Sequence, residues 1–144
     1  MAVYESSAPN RYATFFYAQY ETTTRVLQFV NAGHNPPMIF RAAGDIVRLD
    51  VGGPVIGLID GCAYDQGTVT LEPGDVFVAY TDGVSEAMNG DQEEWGEDQL
   101  AAATHPARTV ACQELIARIM RAADDFVAGA PQHDDMTLVV VRRR

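Results

Sequence analysis

Three carboxylates carry the strongest chemical signal in the 144-residue chain: Asp82, within Thr81-Asp82-Gly83, and the pair Asp134 and Asp135, within His133-Asp134-Asp135-Met136. Asp82 follows Val76-Phe77-Val78-Ala79-Tyr80, the clearest buried-strand pattern in the sequence, and Asp134-Asp135 leads into residues 136–141, a second run apolar on both faces. If the two strands are antiparallel neighbours, the end of one lies beside the beginning of the other, and the carboxylates converge at one edge of a sheet. Carboxylates gathered in this way repel one another and lose hydration unless a cation neutralises them, and oxygen ligands of this kind suit Mg²⁺ or Mn²⁺. Spacing alone leaves the plainer alternative open, because Asp-Gly is a common turn dipeptide and Asp134-Asp135 also suits the polar start of a strand.

Other residues invite chemistry less strongly. His34 can exchange protons near neutral pH, but it sits in Asn31-Ala32-Gly33-His34-Asn35-Pro36-Pro37, a run of turn-forming residues where a hydrogen-bonded structural histidine is the better expectation. Glu86, just after the Asp-Gly pair, either reaches a cation through water or sits on the first turn of a helix, which its charge would favour; the helix is expected. Trp95 reads as a packing anchor. Cys62 and Cys112 lie far apart with no metal-ligand spacing, so they are expected to be reduced core thiols.

These residues need elements to position them. Residues 12–20 and 25–32 form an expected long hairpin, and 38–41 with 46–49 a short one around Gly44. A further strand is expected over 63–71. Glu72-Pro73-Gly74-Asp75 has the proline and glycine of a type II turn and feeds the strand 76–80. Short helices are expected over 84–88 and 97–103. Leu115, Ile116, Ile119, Met120, Ala123, Phe126 and Val127 draw one stripe along a longer helix over 109–128, with Thr109 as cap and Gly129 and Pro131 as stop. The terminal run Arg142-Arg143-Arg144 reads as a solvated tail. Strands apolar on both faces require cover on both, so the expected class is a layered α+β domain, without the strict alternation of a doubly wound fold.

Composition narrows the partners. Apolar residues make up 47% and charged residues 21%, ordinary for one globular domain over residues 1–144, and 20 acidic against 10 basic residues give a net charge of −10. That charge disfavours nucleic acid, whose binding rests on neutralising phosphates. No apolar run approaches the roughly 20 residues that cross a bilayer. The first residues lack a basic start followed by an apolar block, so membrane insertion is not expected and the cytoplasm is the expected location.

Taken in order, the motifs resemble the SpoIIE-type branch of the metal-dependent (type 2C, PPM) serine/threonine phosphatases. The resemblance is carried by Tyr12-Ala13-Thr14-Phe15-Phe16-Tyr17, Phe29-Val30-Asn31-Ala32-Gly33-His34-Asn35-Pro36-Pro37, Pro54-Val55-Ile56-Gly57-Leu58, Leu71-Glu72-Pro73-Gly74-Asp75, Tyr80-Thr81-Asp82-Gly83-Val84-Ser85-Glu86-Ala87, Trp95-Gly96 and Asp134-Asp135-Met136-Thr137. It implies an αββα two-sheet sandwich with a two-metal centre at one end, holding Mn²⁺ or Mg²⁺ through Asp82 and Asp134. Asp135, Gly83 and His34 are expected in support. The implied reaction is hydrolysis of phosphoserine or phosphothreonine on a bacterial regulatory protein, an anti-sigma-factor antagonist being one candidate, by a metal-activated water.

The pattern also breaks. Family members carry a further ligand motif resembling Gly-Asp-Val-x-Gly-x-Gly ahead of the first strand, and this chain has none; its aspartates begin at Asp45. The expectation is therefore an N-terminally incomplete domain, the C-terminal portion of a catalytic domain, with weak or no metal binding and no turnover on its own. The alternative is a phosphatase-like binding or scaffold module. Missing strands would leave edges open, so self-association through uncovered strands is expected.

Overall fold

A computed structural model describes residues 12–144 of the chain. The leading residues that carry the targeting-signal reading, 1–11, lie outside the described residues. Among the described residues the fold is α+β with two four-stranded sheets. The chain divides into two compact units that interleave in sequence: one comprises the chain up to Pro36 with Arg48–Leu71, the other Pro37–Val47 with Glu72–Arg144.

The first unit is built on the expected hairpin. β1 (Phe15–Glu21) and β2 (Val26–Ala32) pair antiparallel over seven positions, from Phe15↔Ala32 to Glu21↔Val26. Thr23 and Thr24 donate to the Glu21 carboxylate at 3.0 and 2.9 Å in the connecting turn. On its other side β2 pairs parallel with β5 (Gly52–Gly53) and antiparallel with β6 (Gly67–Thr70), a strand shorter than the 63–71 expected. Leu27 and Phe29 are buried, with Phe16 stacked on Phe29 at 5.9 Å between ring centroids. β1 departs from the expectation of cover on both faces: Phe15 and Tyr17 are each more than half exposed. Among the described residues only β2 lies beside it as a strand.

The second unit contains the sheet β4-β3-β7-β8, made of β3 (Met38–Phe40), β4 (Ile46–Arg48), β7 (Val76–Tyr80) and β8 (Leu138–Arg142). Helices α1 (Asp82–Ser85), α2 (Gly96–Thr104) and α3 (Cys112–Val127) follow β7 in sequence. The two-residue period of β7 sends Val76, Val78 and Tyr80 into one core with Met38 and Phe40, where they meet Leu115, Ile119 and Ala123 of α3. Those three helical positions are spaced by four, which places them on one face of α3. Trp95 joins the same core, buried as its anchor role requires.

Three local expectations change. α3 begins at Cys112 with Ala111 as an uncapped N-cap, because Thr109 belongs to the turn after the short 3₁₀ segment His105–Ala107. The helix ends through left-handed Ala128, at φ 53°, ahead of Gly129. Cys112 and Cys62 are free thiols but only half-buried, and so not core. Arg142 is no solvated tail: it closes β8, and its guanidinium donates to the carbonyls of Arg108 and Val110.

Asp75 clamps the start of β7. Gly74 takes φ +88° and the Asp75 N–H bonds the Glu72 carbonyl at 3.0 Å, the type II turn expected from Pro73-Gly74. The Asp75 side chain is 1% exposed and accepts from Arg41 Nη1 at 2.6 Å, the Ala42 N–H at 2.9 Å and the Glu72 N–H at 2.8 Å. Burial alone pushes this carboxyl up, but the two backbone donors and the Arg41 guanidinium outweigh it and hold Asp75 below its ordinary 3.8. A carboxyl lowered in the folded state adds stability that is fully present above its unfolded value and is lost as pH falls through the folded one. Removal of one partner from a buried pair costs about 3–5 kcal/mol. Asp75→Ala is therefore expected to lower urea-unfolding stability by about 3 kcal/mol at pH 7, and the gap to wild type should narrow as pH falls below 3.8. A gap independent of pH over that range would contradict the role assigned to the charge.

Candidate metal centre

The condition set by the sequence, that the strands bearing the carboxylates be antiparallel neighbours, is met. β7 and β8 pair from Val76↔Arg142 to Tyr80↔Leu138, so the chain leaving β7 at Tyr80 runs beside the chain reaching β8 at Leu138. Beyond the last pair the ladder continues through Thr81. Its N–H donates to the Thr137 carbonyl at 3.1 Å; its Oγ1 accepts the Thr137 N–H at 3.0 Å and donates to the Asp135 carbonyl at 3.3 Å. The sequence reading gave Thr81 no role. A hydroxyl residue at the last position before the aspartate is the signal for one, since it extends the pairing after the strand has ended.

Asp82 opens α1 directly after this threonine, and Gly83 comes next. The β8 lead-in passes so close to Gly83 that a Cβ there would stand 2.1 Å from the Asp135 carbonyl oxygen and 3.2 Å from that of Asp134. Only a residue without a side chain fits at Gly83 against that backbone. Asp134 is exposed and accepts the Asp135 N–H on Oδ1 at 2.7 Å, while its carbonyl accepts from Gln132 Nε2 at 2.8 Å. Asp135 contributes its backbone to this join, through its N–H and its carbonyl.

Asp82, Gly83, Asp134 and Asp135 all lie in the second unit. His34 lies in the first, where its N–H donates to Asn31 Oδ1 at 2.9 Å and its ring Nδ1 meets the Asn35 carbonyl at 2.8 Å. A carbonyl only accepts, so Nδ1 carries a proton in this contact. Buried Asn31, which the sequence reading passed over, is the hub of that loop: its Nδ2 donates to the carbonyls of His34 and Leu49 at 3.0 and 3.1 Å. The structural expectation for His34 agrees with this bonding.

Glu86 differs from its expectation. α1 is a single turn and Glu86 is its C-cap, with its N–H on the Asp82 carbonyl at 2.7 Å, so the helix dipole gives its charge no support. Partial loss of hydration raises its carboxyl above the ordinary 4.5, and the charges of Asp82, Glu94 and Asp134 raise it further. The same influence places Glu86, Glu94, Asp82 and Asp134 within one electrostatic neighbourhood. Glu94 arrives through a bridge to Met88 that folds residues 89–93 into a loop.

The donor chemistry fits a hard cation: Asp82 and Asp134 are exposed carboxylates at one strand end. The ligand count is smaller than a full shell, because among the described residues no group of three or more histidine, cysteine, aspartate or glutamate side chains is arranged to hold a metal ion.

The sequence profile of the family described as Stage II sporulation protein E (SpoIIE) matches residues 1–144. The chain belongs to the SpoIIE family. It is thereby a member of the SpoIIE-type branch of the metal-dependent serine/threonine phosphatases. It is 30% identical over 132 residues to protein IcfG of Synechocystis sp., covering 92% of this chain and 21% of IcfG. It is also 30% identical over 139 residues to the phosphoserine phosphatase RsbU of Bacillus subtilis, covering 92% of this chain and 39% of RsbU. The chain therefore spans well under half the length of these curated relatives. The solved SiaA-PP2C domain of Pseudomonas aeruginosa superposes with a TM-score of 0.82 at 20% identity, over 97% of this chain and 55% of that one. This likeness shows a phosphatase-type fold of mixed helix and strand with two sheets, the class that the family resemblance implied.

Because the close approach at Gly83 is to backbone, no side-chain rearrangement relieves it. Gly83→Ala is expected to lose about 1–3 kcal/mol of stability, the usual cost of overpacking, and to increase amide hydrogen exchange at Thr81 and Thr137. Unchanged protection at those two amides would show that the join does not depend on Gly83.

Proposed function

We propose that this chain supplies the Asp82–Asp134 half of a metal-dependent phosphatase centre that hydrolyses phosphoserine or phosphothreonine on a regulatory protein. The observation that carries the reading is the meeting of Asp82 and Asp134 at one end of the β7–β8 pair, in a chain of a phosphatase family. Asp82 and Asp134 would hold Mn²⁺ or Mg²⁺. Gly83 lets the two segments close on each other, and Asp135 orients Asp134 through its N–H. Bound cations in such a centre lower the pKa of a water and offset charge on the phosphoryl oxygens during in-line attack, with no covalent phosphoenzyme. The chain's own part is to fix the carboxylates on a rigid strand end, so that no reorganisation is needed when phosphate arrives. His34 supports the reading only as the organiser of its loop.

The relatives support the substrate class proposed here: RsbU is named a phosphoserine phosphatase, and a phosphorylated regulatory protein, of the anti-sigma-factor-antagonist kind, is the proposed partner. No helix among the described residues is long and apolar enough to cross a membrane. A second reading, a phosphatase-like binding module without turnover, is favoured by one observation, the lack of a third ligand grouped with Asp82 and Asp134 among the described residues.

Two carboxylates hold a divalent cation weakly, so Mn²⁺ titration of the 144-residue chain followed by electron paramagnetic resonance is expected to give a dissociation constant no tighter than about 10⁻⁴ M, and Asp82→Asn should abolish binding. The chain by itself should release no phosphate from a phosphoserine protein above the Asp82→Asn background. Release that Asp82→Asn removes would overturn the half-site assignment and uphold the phosphatase one; Mn²⁺ binding untouched by both Asp82→Asn and Asp134→Asn would overturn the metal assignment itself.

A further inference from the structure

A cleft of about 320 Å³ opens beside Asp134, between the segment after α1 and the C-terminal end of α3 with the loop that follows it. Its walls combine two chemistries. Met88, Val127 and Met136 present hydrocarbon and thioether surface, while Glu86, Asp124 and Asp134 bring three carboxylates. Neither lysine nor arginine lines it, and His133 is the one basic side chain in its walls. At the low end of ordinary ligand-site volumes, the space suits one long side chain better than a helix or a folded surface.

The charge on α3 gives a second, independent sign. The final turn of the helix contains Asp124 and Asp125 and no basic residue. Carboxylates at a helix C-terminus oppose the helix dipole, where lysine or arginine would be the stabilising choice. A local choice that works against the fold and faces a cleft marks a functional demand. A side chain with an apolar stem and a cationic head answers both walls, since lysine and arginine lay their methylenes on apolar surface and keep their charge at its rim.

We propose that this cleft receives a lysine or arginine of the phosphorylated substrate, its stem on Met88 and Val127 and its charge on Asp124. The inference rests on the phosphatase reading for its register: Asp134 borders both the cleft and the proposed metal centre, so a phosphoserine at the centre lays its own neighbours along the cleft. An extended peptide advances about 3.3 Å per residue, so the basic residue lies within about three residues of the phosphoserine. The cleft therefore selects basic phosphosites and rejects acidic ones.

The test uses the full 144-residue chain with Mn²⁺ and fluorescein-labelled phosphoserine peptides of alanine and glycine, in which a single arginine is moved residue by residue along either side. Fluorescence anisotropy should find one register that binds about tenfold tighter than the arginine-free peptide. Asp124→Lys should erase that preference, so that the arginine-bearing peptides bind no tighter than the arginine-free one, and Met88→Ser should reduce the preference about threefold. Asp124 is exposed, and circular dichroism of each variant confirms that the helix is intact. No preferred register, or a preference that survives Asp124→Lys, overturns the proposal. An Asp124-dependent preference for arginine in the unphosphorylated peptides, together with Mn²⁺ binding that ignores Asp82→Asn, upholds the cation-receiving cleft while the phosphatase reading fails.

Discussion

The antiparallel pairing of β7 with β8 is the constraint on which the second unit depends. It is held at both ends. At one end Gly74 and Asp75 exchange backbone hydrogen bonds with Arg143, and the buried Asp75 carboxylate locks the turn through Arg41, Ala42 and Glu72. At the other, Thr81 carries the ladder past the last strand residue to Thr137 and Asp135. Between them the register decides which side chains face the helices. With Val78 opposite Val140 and Tyr80 opposite Leu138, both pairs face the α3 core, and Val139 and Val141 face away, each about half exposed. A slip of one residue would turn every β8 side chain to the wrong face and carry Asp134 away from Asp82.

This arrangement couples folding to chemistry. The hydrophobic stripe of α3 has no direct part in the site, yet Leu115, Ile119 and Ala123 are fully buried against the strands whose ends bear the carboxylates. The rigid core allows like charges to gather at an exposed edge. Burial and the charges of Asp82, Glu94 and Asp134 raise the Glu86 carboxyl, and like charges gathered in a chain of net charge −10 repel one another. Cations, whether metal ions at the strand end or a basic side chain in the adjoining cleft, offset that cost. One electrostatic condition thus underlies both the proposed reaction and the proposed substrate preference.

Much of this could be read from residue types. The hairpin over β1 and β2, the turn at Pro73-Gly74, the strand 76–80 and the stripe of α3 each depend on local chemistry: alternation, φ restriction, and three-to-four spacing. The ordered motifs led to the family. Boundaries read less well. The Thr109 cap failed because Pro106 and its neighbours form a 3₁₀ turn first, and Arg142 read as tail because nothing local reveals that the carbonyls of Arg108 and Val110 wait for its guanidinium. The exposed aromatics of β1 show a further limit, since apolar composition states a need for cover without supplying what covers it.

By itself, then, the sequence determined the elements, the family, and the two aspartates worth testing, because those follow from side-chain chemistry within short windows. Tertiary structure alone decided that Asp82 and Asp134, separated by most of the helical layer, end beside each other; that Gly83 is needed because another segment's backbone passes against it; and that Glu86, Glu94 and Asp124 share their neighbourhood or its adjoining cleft. Each of these is a long-range contact. Its existence depends on strand register and core packing, which no local pattern of residues encodes.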